Sequence, residues 1–276
     1  MSKAISFAIS LLFLLGCTEP ETKISPATQD KEATLKKYLN NGAWNHHFLS
    51  KEWDEWVTRG LQEDSTIAYL WQQKALPYWK QQKFQLAISY YEKAVALDPE
   101  NWLSRLAFLK CIYAKDYLGA LKDLTAYRMT YGQAFEQDHT LEFYEGVCYL
   151  QLNQFDKAQA ILLKNLEAQE AELGPDWVPF LDRYYLGISY FEQGEYEVAV
   201  TEFNKVLLQY PGFSDAQYHK SICLDYLGEK EKSKELMAIG KINFKNGYSF
   251  NEDSNLYVDY PYQITWQWDV AESILN

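Results

Sequence analysis

The stretch Phe84 to Pro99, FQLAISYYEKAVALDP, places alanine at positions 87 and 94, an aromatic residue between them and proline five residues later. The same order returns in residues 196–211, YEVAVTEFNKVLLQYP. Small residues seven apart lie on one face of a helix and let a second helix approach closely. A proline just past a helix cannot extend it. The repetition therefore predicts stacked helical hairpins.

The repeating unit is 34 residues long in its clearest copies. Four segments follow it clearly: 68–101, 139–179, 180–213 and 214–247. Residues 102–138 form an irregular repeat, and residues 34–67 form a degenerate one. This pattern resembles the tetratricopeptide repeat (TPR) family, which implies an all-α fold, a right-handed solenoid of helix-turn-helix repeats. An unrelated array of helical hairpins is the alternative that the spacing leaves open.

The amino terminus has the form of a secretory signal. Residues 1–16 carry one charge, Lys3, and an apolar run that is too short to span a bilayer. The run ends in Leu-Leu-Gly-Cys at 14–17, which resembles the bacterial lipobox. That resemblance implies cleavage before Cys17 and acylation of its thiol and new amino group with palmitate-type chains. An ordinary signal peptide with a chance cysteine is the alternative.

The composition after this signal predicts a tether and a strongly acidic domain. Residues 17–33 contain two prolines, several charges and no aromatic residue, so we expect a flexible linker. Removing residues 1–16 takes one lysine from the 26 basic residues, which leaves 25 − 38 = −13 formal charges. This charge argues against nucleic acid as a partner. The sequence predicts a lipid-anchored protein of the bacterial cell envelope, at the outer membrane on its periplasmic or surface side, with the leaflet left open.

The sequence shows no pattern of catalysis or metal binding. It has no His-Glu-x-x-His, no Gly-x-Ser-x-Gly and no phosphate-binding glycine-rich loop. The adjacent His46 and His47 would point about 100° apart on a helix, and His139 and His219 are predicted to be isolated helical residues. We therefore expect no catalytic residue, no metal and no cofactor. A site without a recognisable motif is the alternative.

The remaining cysteines are predicted to be structural. Cys111, Cys148 and Cys223 fall at equivalent places in successive first helices. Such places in neighbouring repeats are expected to lie about 10 Å apart. We therefore expect three separate buried thiols that act as small apolar residues.

The family resemblance also implies a binding surface, because the first helices of TPR repeats line a concave groove. The positions that would face this groove are aromatic, aliphatic or amide residues with few cations. They are Tyr69, Gln72, Trp79, Lys110, Tyr113, Phe143, Tyr184, Phe191, Tyr218 and Tyr226. Such a lining suits a helix or an extended peptide with aromatic anchors.

Residues 248–276 break the repeat and are crowded with aromatic residues, so we expect them to dock on the solenoid as a cap or within the groove. The leading functional hypothesis is a membrane-anchored, non-catalytic scaffold for a protein or peptide partner. The alternative is a lipoprotein that binds a glycan or nutrient on its aromatic groove.

Overall fold

The computed structural model describes residues 26–174, 177–268 and 270, and within them the chain is an all-α solenoid of the TPR type. The helices are α1 Pro26–Leu35, α2 Lys51–Glu63, α3 Ala68–Lys80, α4 Phe84–Leu97, α5 Pro99–Leu109, α6 Tyr117–Tyr131, α7 Leu141–Gln151, α8 Phe155–Leu173, α9 Phe180–Glu192, α10 Tyr196–Gln209, α11 Ser214–Tyr226 and α12 Lys230–Lys245. The signal sequence and Cys17 lie outside the described residues. No helix in the described ranges combines the length and apolarity needed to cross a membrane.

Five consecutive helix pairs, from α3/α4 to α11/α12, form the solenoid. The small residues of the repeat lie at the contacts between helices: Ala87, Ala94 and Ala199 have no exposed surface. Two glycines allow the closest approaches. A β-carbon at Gly146 would lie 2.5 Å from Leu162, and one at Gly187 would lie 2.7 Å from the ring of Phe203. The small residues of the repeat therefore recur because neighbouring helices pack closely at these positions.

Helix boundaries follow the local chemistry of the repeat. Pro99 lies in the first turn of α5, where a backbone N–H would have no partner within the helix, so the proline costs no hydrogen bond. The Asp98 carboxylate caps the same helix by accepting from the Asn101 backbone N–H. The long helix α8 ends at Gly174, whose positive φ of 89° suits glycine. The chain therefore turns at the places where the repeat predicts a turn.

The amino-terminal unit differs from the prediction. Residues 26–33, expected to be part of a flexible tether, belong to α1. Thr34 at its end donates to the Glu63 carboxylate of α2, and Tyr38 donates to the same group at 2.7 Å. These contacts hold α1 against the second helix of the degenerate repeat. In place of a regular first helix this unit has a π-helical turn, Lys36–Asn40, and a 3-10 turn, Ala43–Asn45.

The irregular repeat contains a π-helical segment, Lys110–Ala114, at the end of α5. A π turn inserts one extra residue, so it shifts the helical register and changes which side chains face inward. The segment also carries Cys111, whose Sγ lies 3.4 Å from the Sγ of Cys148 on α7. The expectation of a separation near 10 Å is therefore wrong for this pair, because the two side chains point towards each other across the contact between neighbouring repeats.

The carboxy-terminal segment, here residues 248–268, packs against the solenoid. Phe250, Tyr260, Ile264 and Trp268 are all buried. Trp268 contacts α11 and α12, with its ring 5.1 Å from that of Tyr218. The segment therefore adds a second layer to the carboxy-terminal repeats.

Candidate functional site

The inner face of the solenoid is defined here as the side of α3, α5, α7, α9 and α11 that contacts either the carboxy-terminal segment or an open cavity. The cavity lies at the amino-terminal end of this face and has a volume of about 600 Å³. It is lined by α3, α4 and α5, by the short hairpin of β1 Phe135–Glu136 and β2 His139–Thr140, and by residues 253–257. Binding sites for small ligands commonly have volumes of roughly 300–1,000 Å³.

Seven aromatic residues contribute to the walls of the cavity, together with a larger number of other residues, many of them polar. Tyr69 and Trp102 stack at 5.8 Å with 16° between their planes. The ring of Trp79 meets those of Tyr91 and Tyr113 edge-on, at 6.4 and 6.1 Å. These contacts fix the rings before any ligand binds, so the aromatic part of the wall is preformed.

The polar groups of the cavity come from α3, α5, the hairpin and residues 253–254. Glu136 is buried and accepts from the Ser104 hydroxyl, and Arg105 forms an ion pair with its other carboxylate oxygen. Amide side chains from Gln72, Asn101 and Gln137 complete this side of the lining. Amide groups both donate and accept, so the cavity can satisfy polar atoms of a ligand that also needs apolar contact.

Residues 253–257 close one end of the cavity. The Lys80 ammonium group lies 3.4 Å from the centre of the Tyr257 ring, and the Tyr113 hydroxyl donates to the Ser254 Oγ at 3.5 Å. Gln82 donates its amide N–H to the Tyr257 carbonyl at 3.1 Å. Burial lowers the pKa of Lys80, because the charged form loses solvation there. The carboxy-terminal segment thus forms one wall of the cavity.

Four of the ten predicted groove residues, Tyr69, Gln72, Trp79 and Tyr113, line the cavity. Tyr184 does not lie on open surface, as the groove prediction expected. It has no exposed area, and its hydroxyl donates to the Tyr262 carbonyl at 2.9 Å. The neighbouring Tyr185 donates to the Pro261 carbonyl at 2.7 Å. The carboxy-terminal segment therefore covers this part of the inner face.

Asp215 of α11 fixes the segment at a second point. Its carboxylate accepts from the Ile264 amide at 2.6 Å and from the Ser249 hydroxyl at 2.7 Å. Burial raises the pKa of Asp215 to about 6, against the effect of these hydrogen bonds. The same segment is therefore held by aromatic hydroxyls of α9 and by one carboxylate of α11.

Two further groove predictions are corrected by the structure. Lys110, the first residue of the π segment, does not offer a free ammonium group, because it is buried and pairs with Asp123 of α6 at 2.7 Å. Phe143 is buried, with its ring stacked 3.9 Å from that of His139. Both residues stabilise contacts between elements of the fold and are inaccessible to a partner.

The last three predicted residues lie towards the other end of the solenoid. Phe191 is half-buried, 5.4 Å from the His219 ring. Tyr218 is half-buried beneath Trp268. Tyr226 is 66% exposed and stacks on Tyr196 at 4.5 Å. None of the three lines the cavity.

His139 belongs to a buried polar network. The sequence predicted a helical position for His139, but the residue lies on β2. Its Nδ1 is 2.7 Å from the Asp182 carboxylate. Asn165 and Gln169 donate to the same carboxylate. Burial disfavours charge on the ring, but Asp182, together with Glu252 at 3.7 Å from Nε2, outweighs this effect and raises the pKa of His139 to about 9. The network stabilises the fold as a protonated histidine paired with a carboxylate. Across the described ranges, no group of three or more His, Cys, Asp or Glu side chains is arranged to hold a metal ion.

The sequence predicted that the carboxy-terminal segment docks as a cap or within the groove, but it did not identify residues 253–257 or the residues of α5 that line the cavity. The predicted groove residues nearest to α5 are Lys110 and Tyr113, whereas the structure adds Trp102 and Arg105 of α5 to the lining. The repeat is irregular here, with the π segment Lys110–Ala114 directly after α5. The only sequence signal was the turn after this segment, which is one residue short against the repeat.

The chain is similar to known TPR proteins in sequence and fold. Tetratricopeptide repeat family models match residues 68–101 and 183–212. No curated protein sequence matches the chain. Among solved structures, PilW, a type IV pilus biogenesis factor, superposes with a TM-score of 0.60 at 15% identity, over 79% of this chain and 94% of PilW.

Two other solved structures show the same likeness. A tetratricopeptide repeat protein from Parabacteroides merdae ATCC 43184 has a TM-score of 0.59 at 15% identity, over 83% of this chain and 96% of its own. YrrB, a TPR protein, has a TM-score of 0.50 at 20% identity, over 68% of this chain and 91% of its own. At these identities the likeness shows the fold alone. That fold is typical of protein interaction scaffolds, which are generally non-catalytic.

Proposed function

We propose that this chain, which is a tetratricopeptide repeat protein, is a non-catalytic scaffold that binds a protein partner while anchored to a bacterial envelope membrane. The observation that carries the proposal is the open aromatic cavity beside an otherwise covered inner face. The carboxy-terminal segment already occupies the part of this face around Tyr184. The partner therefore binds at the amino-terminal end.

The shape of the cavity limits what the partner inserts. Residues 253–257 form one wall of the cavity, so a long helix that starts in the cavity cannot continue along all five helix pairs. A short segment that buries one or two aromatic or aliphatic side chains between Trp79 and Trp102 fits the volume, and its backbone can pair with the amide groups of Gln72 and Asn101. The solved structure of YrrB is described as containing an unusual peptide-binding site, which supports a peptide as the occupant.

The test is site-specific photo-crosslinking in intact cells. A photoreactive amino acid at Gln72, inside the cavity, should capture a discrete protein partner. The matched control is Leu208, which is 83% exposed on α10 and lies outside the cavity. Adducts of equal yield at both positions, or adducts at Leu208 alone, would contradict a partner site in the cavity.

The membrane anchor rests on Cys17 and the lipobox-like sequence before it. Two or more acyl chains give stable anchoring, since each buried methylene contributes about 0.8 kcal/mol. A clickable palmitate analogue should label the wild-type protein and not Cys17→Ser, and the variant should leave the membrane fraction. Equal labelling of the two proteins would argue against this anchor.

A glycan is the second candidate ligand for the same cavity. Stacked rings such as Tyr69 and Trp102, set among amide, carboxylate and guanidinium groups, are also suited to a sugar face and its hydroxyls. Titration of the purified protein with glycans distinguishes the two. A saturable change in tryptophan fluorescence without protein adducts at Gln72 would favour the glycan.

A further inference from the structure

Two buried thiols meet at the contact between the second and third helix pairs of the solenoid. The Sγ atoms of Cys111, in the π segment, and of Cys148, on α7, lie 3.4 Å apart. Both residues have no exposed surface. Cys223, the other described cysteine, lies in α11, two helix pairs further along the chain. The fold therefore brings one particular pair of thiols into contact.

We propose that Cys111 and Cys148 are a disulfide-forming pair, oxidised by a disulfide compound while the chain folds. The thiolate of one cysteine attacks the oxidant's disulfide and forms a mixed disulfide, which releases the first oxidant thiol. The second cysteine then attacks the protein sulfur of that mixed disulfide and releases the second thiol. The two protein thiols thus lose two protons and two electrons, and the oxidant gains both.

The geometry needs little change for this bond. A disulfide bond is about 2.05 Å long, so the sulfurs must approach by about 1.4 Å. The π segment favours the pairing because its extra residue sets the position of Cys111 relative to α7.

Burial determines when the bond can form. It raises the pKa of the Cys148 thiol well above its ordinary value, so the nucleophilic thiolate is scarce in the folded protein. Oxidation is therefore expected during folding, before the second and third helix pairs pack together. The completed bond is then shielded from soluble reductants. The bond closes a loop that contains α6 and the hairpin, and so it stabilises the solenoid by restricting the unfolded chain.

The test uses the full chain, refolded from the reduced and unfolded state in a mixture of oxidised and reduced glutathione. Free thiols are blocked with maleimide in denaturant, and the protein is digested with trypsin without reduction. The expected product joins peptide 111–115, CIYAK, to peptide 129–157, and reduction separates them. Cys223 should carry maleimide.

Stability supplies a second measurement. Reduction should lower the thermal midpoint of the wild-type protein by about 5 °C or more. The control Cys223→Ser should keep both the linked peptide and this shift, and the double variant Cys111→Ser/Cys148→Ser should lose the shift. Maleimide on both Cys111 and Cys148 after refolding, or linkage of either to Cys17 or Cys223 as often as to each other, would overturn the proposal. If the double variant does not fold, the peptide map of the wild-type protein decides alone. The result does not depend on the proposed partner or anchor.

Discussion

Replacing Trp268 by alanine is expected to lower the free energy of unfolding by about 3–5 kcal/mol, the usual cost of truncating a large buried aromatic residue. Trp268 is 2% exposed and packs on Tyr218 and Phe244 at ring distances of 5.1 and 6.0 Å. Its ring also fills the space above Gly240, where an added β-carbon would lie 2.6 Å away. Alanine would leave a cavity between the carboxy-terminal segment and the last helix pair.

Trp266 provides the matched control, since it lies two residues away in the same segment and is 65% exposed. Its replacement by alanine should change the free energy of unfolding by less than about 0.5 kcal/mol. Urea denaturation measures both values, and binding of an apolar dye should rise for Trp268→Ala alone. Equal, small effects of the two substitutions would mean that the segment is not docked as described.

Asp182→Ala is expected to destabilise the protein by about 3–5 kcal/mol, because it removes the nearer carboxylate of a buried ion pair and leaves His139 with Glu252 alone, at 3.7 Å. The carboxylate lies 2.7 Å from His139 and also accepts from Asn165 and Gln169. Asp225→Ala, on the exposed face of α11, is the control and should have little effect. The measurement is urea denaturation at pH 6.

The effect of Asp182→Ala should also depend on pH. His139 has a pKa of about 9 in the folded protein and about 6.5 in the unfolded chain, so the folded state holds the proton more tightly. The stability that this proton contributes is complete below pH 6.5 and is lost as the pH rises through 9. The difference between wild type and variant should therefore be largest at pH 6 and smaller at pH 10. A difference that stays constant over this range would show that His139 is neutral.

Much of the solenoid could be predicted from the spacing of small and bulky residues. Ala87, Tyr91 and Ala94, and likewise Ala199, Phe203 and Val206, are buried as the repeat requires. This pattern is readable because each small residue meets a helix that is near in sequence, within its own repeat or the next. The prediction of a TPR fold, which rested on these local contacts, is confirmed.

The binding face was harder to predict, for two physical reasons. The repeat is irregular around α5 and the π segment that follows it, so Lys110 pairs with Asp123 while Trp102 and Arg105 line the cavity. The carboxy-terminal segment contacts residues far away in sequence, such as Gln82 and Tyr185, and no local pattern encodes such pairing. The aromatic content of residues 248–276 indicated docking but not its place.

We propose that a partner reaches the inner face at its amino-terminal cavity, because the carboxy-terminal segment covers the face around Tyr184 and Tyr185. Photo-crosslinking tests this most directly when positions on both parts are compared in the full chain and in a chain that ends at Gly247. The account predicts that the full chain yields partner adducts from Gln72 and none from Tyr184. Adducts from Tyr184 in the full chain, at a yield that truncation does not change, would contradict it.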